Sequence, residues 1–176
     1  MVYRNKQDME NFCKNGKLEH KNGYDVCRAV DERGELRYDL TLLYPNKQTA
    51  GHYHTSGFPE LFEVLSGNAL FLTQNSDAKK TYLINAKEKE KIVILPEFSI
   101  RTINPSKDEE LMISNWISDK TTNDYNAFKN LQEPIKLKPK PLPAELENLD
   151  FLKNPKKYSH LLTIENLYER VQVYPA

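Results

Sequence analysis

His52 and His54 stand one residue apart in Gly51-His52-Tyr53-His54, and Glu60 follows after a short turn over residues 55–59. Side chains alternate along a strand, so both imidazoles project from one face. Glu60 opens the apolar run Leu61, Phe62, Val64 and Leu65, which ends at Gly67. If the Glu60 strand lies beside the histidine strand, two imidazoles and one carboxylate converge on one point. Two nitrogens and one oxygen with open positions are the ligand set of a catalytic transition-metal site. If the segments do not meet, the same residues are an exposed histidine pair on an edge strand and an unrelated Glu on a turn.

The elements that must position these residues read as strands. Apolar and β-branched runs recur at 24–30, 36–44, 49–54, 61–65, 69–73, 81–84, 92–95, 99–104 and 111–117. Turn residues separate them, with a hairpin expected around Ser66-Gly67-Asn68. A series of eight to ten short strands with no helices between them predicts an all-β antiparallel sandwich or small barrel, holding a ligand or metal in its mouth. Before it, residues 8–14 predict a short helix, followed by a turn at Asn15-Gly16. After residue 121 the character changes. Residues 125–132 predict a helical turn or two, and 134–143 are Pro/Lys-rich and predict an extended arm of polyproline character. Residues 144–152 predict a helix, and Thr163 caps another over 164–171, with Ile164, Leu167 and Val171 at packing spacing. This tail carries no chemistry in the sequence; packing or a dimer contact is its expected role.

Twenty-five basic and 25 acidic residues give a formal net charge of zero. No basic field favours nucleic acid, and no excess charge favours an anionic membrane. No apolar run approaches the ~18 residues of a membrane span, and no signal peptide is read. Cys13 and Cys27 are the two cysteines. With no CxxC they do not indicate a disulfide framework, so the expectation is two small buried residues in a reduced, cytoplasmic protein.

The combination of Thr41, Pro45, Thr49, Gly51, His52 and His54 with Pro59, Glu60, Phe62 and Gly67 resembles the signature of the archaeal-type, cupin glucose-6-phosphate isomerase family. The resemblance covers about residues 24–125 and is strongest between 36 and 105. It implies a double-stranded β-helix (cupin) jelly-roll barrel with short helical additions at both ends. The chain then divides into an N-terminal helical arm (1–20), a cupin barrel (21–125), and a Pro/Lys-rich arm with C-terminal helices (126–176). By the same resemblance, His52, His54 and Glu60 hold one divalent transition metal, whether iron, manganese, nickel or zinc. Tyr24, Thr41, Thr49, Gly51 and Tyr125 match the positions that bind the substrate phosphate. Hydroxyls and backbone amides suit a phosphate dianion. A phosphorylated sugar as ligand, a homodimer, and a place in glycolysis and gluconeogenesis are also implied.

The chain departs from the family pattern at four places. Ile100 stands where the family has its fourth metal ligand, Phe62 where it has a tyrosine, and Asn123 where a further active-site histidine falls. About six residues are missing after Lys47. Two readings follow. One is a metal-dependent aldose–ketose isomerase, most simply interconverting glucose 6-phosphate and fructose 6-phosphate, with Glu60 moving the proton. The alternative is a diverged, non-catalytic phosphosugar-binding cupin that has lost a metal ligand. A third, an iron-dependent oxygenase on the same triad, has no cosubstrate signal to support it. Glu97 and Asn104 are the nearby polar residues that would have to replace the missing ligand.

Overall fold

The computed structural model describes residues 5–14, 16–126 and 128–172. Helix α1 (Lys6–Phe12) is capped by the Asn5 side chain, which accepts from the Asp8 N–H at 3.0 Å. The Asn15 half of the expected turn lies outside the described residues. Then follow β1 (Lys17–Lys21), β2 (Tyr24–Arg33), β3 (Leu36–Leu43), β4 (His52–His54), β5 (Glu60–Ser66), β6 (Asn68–Asn75) and β7 (Thr81–Lys87). The barrel continues with β8 (Lys91–Ile94), β9 (Phe98–Ile103), β10 (Leu111–Ser118) and β11 (Asn123–Asp124). The tail adds β12 (Ile135–Pro139), α2 (Ile164–Leu167) and β13 (Tyr168–Arg170).

These strands form two sheets, ordered β1-β2-β3-β10-β5-β8 and β11-β4-β9-β6-β7-β12-β13. The chain crosses repeatedly from one sheet to the other, which is the jelly-roll double-stranded β-helix. Every expected strand between residues 24 and 118 is present, and β1 is one that the sequence reading did not anticipate. Residues around 66–68 do not form a hairpin: β5 and β6 belong to different sheets, and Gly67 at φ +96° turns the chain from one to the other. A side chain on Gly67 would meet the Glu110 carbonyl oxygen at 3.2 Å, so both conformation and space favour glycine there.

Alternating side chains of both sheets fill the interior with Phe62, Phe71, Ile84, Ile92 and Ile94. A second cluster lies outside the first sheet, where Met9 of α1 packs on Leu40, Leu42 and Met112. That packing brings Cys13, the C-cap residue of α1, over Cys27 of β2, and the two form a disulfide with a Cα–Cα distance of 5.8 Å. The expectation of two unpaired cysteines is corrected. Their spacing in the sequence does not show that α1 folds back over β2. The cysteine argument for a reduced compartment falls with it, since disulfides persist in oxidising surroundings. No helix among the described residues is long and apolar enough to cross a membrane.

The tail differs from the extended arm expected of it. Ile135–Pro139 pairs in parallel with β7 and antiparallel with β13, so its backbone is bonded into the second sheet. The proline-rich composition hid this because Pro134, Pro139 and Pro141 sit at or beyond the ends of the strand, where a missing N–H costs least. Residues 144–152 form two 3-10 turns, Ala144–Leu146 and Asp150–Leu152. Thr163 does cap α2, accepting from the Asn166 N–H at 3.2 Å, but the helix ends at Leu167 where β13 begins. Leu137, Leu146, Phe151, Leu152, Leu167 and Tyr168 all join the main core.

Candidate metal centre

His52 and His54 share the inward face of β4, as the alternation requires, but Glu60 reaches them differently from the expected side-by-side arrangement. Strand β4 lies in the second sheet and β5 in the first, so the carboxylate meets the imidazoles across the barrel. His54 Nε2 is 3.0 Å from His52 Nε2 and 3.0 Å from Glu60 Oε2. The three ligand atoms lie within 4.8 Å of one another. A metal about 2.1 Å from each ligand puts neighbouring ligand atoms about 3 Å apart when they subtend a right angle. The two 3.0 Å spacings match that value, and the three groups form a candidate site for one divalent cation.

Two further observations support that fit. His54 is fully buried and Glu60 is 4 % exposed, yet Glu60 Oε2 has no hydrogen-bond partner among the described residues. Its neighbour is the His54 Nε2 given above, and a cation at this point would compensate the buried carboxylate. Burial also pushes the His52 imidazole below its ordinary pKa of 6.5; the Glu60 charge works against this, while His54 and Arg28 add to it. Held neutral, the ring keeps a lone pair for a metal. His52, His54 and Glu60 thus form a candidate divalent-metal site of three ligands.

The fourth side is apolar. Ile100 on β9 is the register partner of His52 and is 1 % exposed. Neither polar neighbour replaces it. The Asn104 side chain donates to the carbonyls of Leu43, Tyr44 and Glu109 and accepts from the Ser106 N–H, so it organises a loop. Glu97 sits in the turn before β9 at φ +64°. Phe62 packs against Phe71, with ring centroids 5.2 Å apart. Asn123 lines the cavity and pairs with His54 through β11.

A cavity adjoins the cluster. Tyr24, Thr41, Thr49 and Tyr125 line it together with His52 and Glu60. The Tyr24 hydroxyl accepts from the Ala50 N–H at 3.3 Å, and Thr49 Oγ1 accepts from the Thr102 N–H at 3.0 Å, leaving each hydroxyl proton available. Tyr125 lies at the rim, its ring 6.0 Å from that of His52. Gly51 is placed differently: a Cβ there would strike the Phe128 ring at 2.6 Å and Arg101 Nη2 at 3.1 Å. Its lack of a side chain makes room for those two residues. Arg101 lies over the Phe128 ring, 5.0 Å from its centroid, and lines a separate groove with Lys21 and Lys47. His20 and His160 are not part of the cluster; His20 Nδ1 is 2.7 Å from Asp25 Oδ1.

Asn115 escaped the sequence reading. Its Nδ2 donates to Glu60 Oε1 at 2.8 Å, which fixes the carboxylate with Oε2 towards His54. An amide in the largely apolar run Leu111–Ser118 was the available signal. Supporting hydrogen bonds of this kind are worth roughly 10–100-fold in metal affinity. Asn115→Ala is accordingly expected to weaken zinc binding by about that factor, read by competition against a chromophoric chelator. An unchanged affinity would show that Glu60 needs no such support.

Solved structures with the same architecture include oxalate decarboxylase from Bacillus subtilis, at TM-score 0.54 and 17 % identity over 62 % of this chain and 30 % of that one. The capsular polysaccharide assembling protein CapF from Staphylococcus aureus aligns at TM-score 0.52 and 13 % identity, over 57 % of this chain and 29 % of its own. An oxalate oxidase in complex with the substrate analogue glycolate aligns at TM-score 0.51 and 18 % identity, over 60 % of this chain and 56 % of its own. At such identities the likeness shows the cupin fold alone, and the chain spans a little over half, or less, of the length of these proteins. No curated protein matches the chain. A family model described as glucose-6-phosphate isomerase (GPI) matches residues 2–133, and the chain belongs to that family.

Proposed function

We propose that the protein is a metal-dependent aldose–ketose isomerase of a sugar phosphate, with glucose 6-phosphate and fructose 6-phosphate as the expected pair. The observation that carries this reading is the opening of the His52, His54 and Glu60 cluster into a cavity that also holds the hydroxyls of Tyr24, Thr41 and Thr49, in a chain of this family. A divalent metal held by the three ligands would polarise the C1 and C2 oxygens of the open-chain sugar. The isomerisation removes a proton from C2, returns one to C1 and shifts a hydroxyl proton from O2 to O1, so nothing is gained or lost. Glu60, at the edge of the cavity and held by Asn115, is our candidate for carrying the carbon-bound proton. The hydroxyls at Tyr24, Thr41 and Thr49, with Tyr125 at the rim and the backbone at Gly51, are our candidates for holding the phosphate. A second copy of this chain is the proposed protein partner, on the family resemblance.

One observation favours a second reading. Ile100 closes the fourth side of the cluster with hydrocarbon, which suits a diverged cupin that binds a phosphosugar without converting it. A coupled assay of fructose 6-phosphate conversion separates the two, on protein stripped and reloaded with iron, manganese, nickel or zinc. Metal-dependent turnover that disappears in Glu60→Ala is expected. Absence of turnover with every metal, in protein that still binds fructose 6-phosphate, would decide for the binding protein.

A further inference from the structure

Tyr125 lines the mouth of the cavity, its ring 6.0 Å from that of His52, yet it is 63 % exposed. So bare a side chain draws little of its position from packing of its own. It is placed by what holds the backbone on either side. Upstream, Asn123 and Asp124 pair with His54 and Tyr53 of β4, and the Asn126 N–H donates to Asp124 Oδ1 at 2.9 Å. Downstream, the anchors are Phe128 and Lys129. They meet Arg101 and Gln74, whose side chains alternate with the cavity-lining Ile100 and with Thr73 and so face out of the second sheet.

Gln74 of β6 is 1 % exposed, and its backbone is fixed between Ser99 and Thr81 of the neighbouring strands. Its Oε1 accepts from the Lys129 N–H at 3.2 Å. Its Nε2 donates to the Lys129 carbonyl at 2.8 Å and to Thr81 Oγ1 at 3.2 Å. One side-chain amide thus pairs with both backbone groups of Lys129, as an adjacent strand would. One residue earlier, the Phe128 ring occupies the space that a side chain on Gly51 would need, 2.6 Å from the position of its Cβ. The Gly51 backbone is not left-handed, so space alone demands glycine there. Arg101 lies over the same ring, 5.0 Å from its centroid, with its buried Nε lacking a hydrogen-bond partner among the described residues. A guanidinium laid on an aromatic face holds the ring in place.

Gln74, Phe128 and Arg101 do not line the cavity, so they act on it only through the chain they hold. We propose that Gln74, with the slot formed by Gly51, Phe128 and Arg101, is a clamp that positions Tyr125 at the cavity mouth. From Tyr125 to Phe128 the backbone spans at most about 10–11 Å. With β11 fixed on one side and Phe128 on the other, Tyr125 has little room to swing. Release of the clamp frees the downstream side and lets the tyrosine leave the mouth. Gln74 and Phe128 are positioning residues, and Tyr125 is the residue that meets the ligand. The clamp deepens the sugar-phosphate reading, on which it rests for the identity of that ligand.

Two measurements on the full chain test it: hydrogen exchange over residues 121–126, and calorimetric titration of the cobalt-loaded protein with fructose 6-phosphate. Gln74→Leu and Phe128→Ala are each expected to raise the exchange about tenfold and to weaken the sugar phosphate about fivefold. In a Tyr125→Ala background neither should weaken it further, since the residue they position is gone. Gly51→Ala should repeat these effects and lose them once Phe128→Ala has emptied the slot. Phe128 is half-buried and outside both core clusters, so its variant carries the test should Gln74→Leu not fold. Unchanged exchange overturns the proposal. Losses of affinity that add in full to that of Tyr125→Ala also overturn it, because they mark a merely structural role. A wild-type chain that binds no fructose 6-phosphate removes the sugar-phosphate reading instead, and the clamp is then read from the transfer of cobalt to a chelator past Tyr125. The same variants should speed that transfer about fivefold, with no further effect beside Tyr125→Ala, and unchanged rates overturn the clamp.

Discussion

Ile100→His is expected to raise divalent-metal affinity by about two orders of magnitude, taking the roughly 10–100-fold effect of outer supporting groups as the lower bound for a direct ligand. The position is set by pairing: Ile100 stands opposite His52 on the neighbouring strand and lines the same cavity. Isoleucine and histidine occupy similar volumes, so the exchange neither opens a large void nor forces the barrel apart. The new imidazole turns a set of two nitrogens and one oxygen into three nitrogens and one oxygen, a fuller set for zinc or nickel. Competition titration against a chelator, together with the visible spectrum of the cobalt-loaded protein, reads both affinity and coordination. Unchanged affinity and spectrum would mean that the metal is not held at this face of the cluster. A large gain would show that the apolar fourth side alone keeps binding weak in the natural chain.

Reducing the Cys13–Cys27 disulfide should cost about 3 kcal/mol of stability, the chain-entropy value for a loop of about 15 residues. Their separation in sequence is 14. For a protein of this size that corresponds to a fall in melting temperature of roughly 6–12 °C. The crosslink holds α1, whose Met9 covers Leu40, Leu42 and Met112 on the outside of β3 and β10. Scanning calorimetry of the oxidised protein, the reduced protein and the Cys13→Ser/Cys27→Ser variant gives the comparison. Equal melting temperatures would show that α1 is held by packing alone. Because Cys27 immediately precedes Arg28, which lines the cavity, the reduced protein is also the place to look for a looser cavity wall.

The strands were legible because short apolar and β-branched runs stand between clear turn residues, and β7 also alternates buried and more exposed positions. The metal cluster was legible because its two histidines share one strand face. The sequence could not say which sheet each strand joins, so Glu60 was expected beside the histidines when it stands opposite them. Arg28, Arg37 and Asp39 also line the cavity beside the cluster, and were readable in principle. They continue the period-two faces that carry Tyr24 and Thr41, but charged residues in a strand usually face water, and the shift of β2–β3 register around Ala29 leaves no mark in residue types. Asn115 was overlooked for a similar reason, since an amide in a strand beside Ser114 gains its meaning only once Glu60 is its neighbour. The tail was misjudged because its prolines mark strand ends as readily as a free arm.

That tail has a consequence for the order in which the molecule is completed. Residues 82 and 135 pair across the parallel junction of β7 and β12, and the Tyr168 hydroxyl donates to the Val93 carbonyl in the opposite sheet. The earlier strands leave the ribosome with the β7 edge bare and without Leu137, Phe151 and Leu167 in the core. Closing so long a loop costs entropy before its contacts repay it. A portion of the chain synthesised after the barrel strands is therefore the portion that seals the barrel, and a nascent chain stalled before it presents an open strand edge to its neighbours.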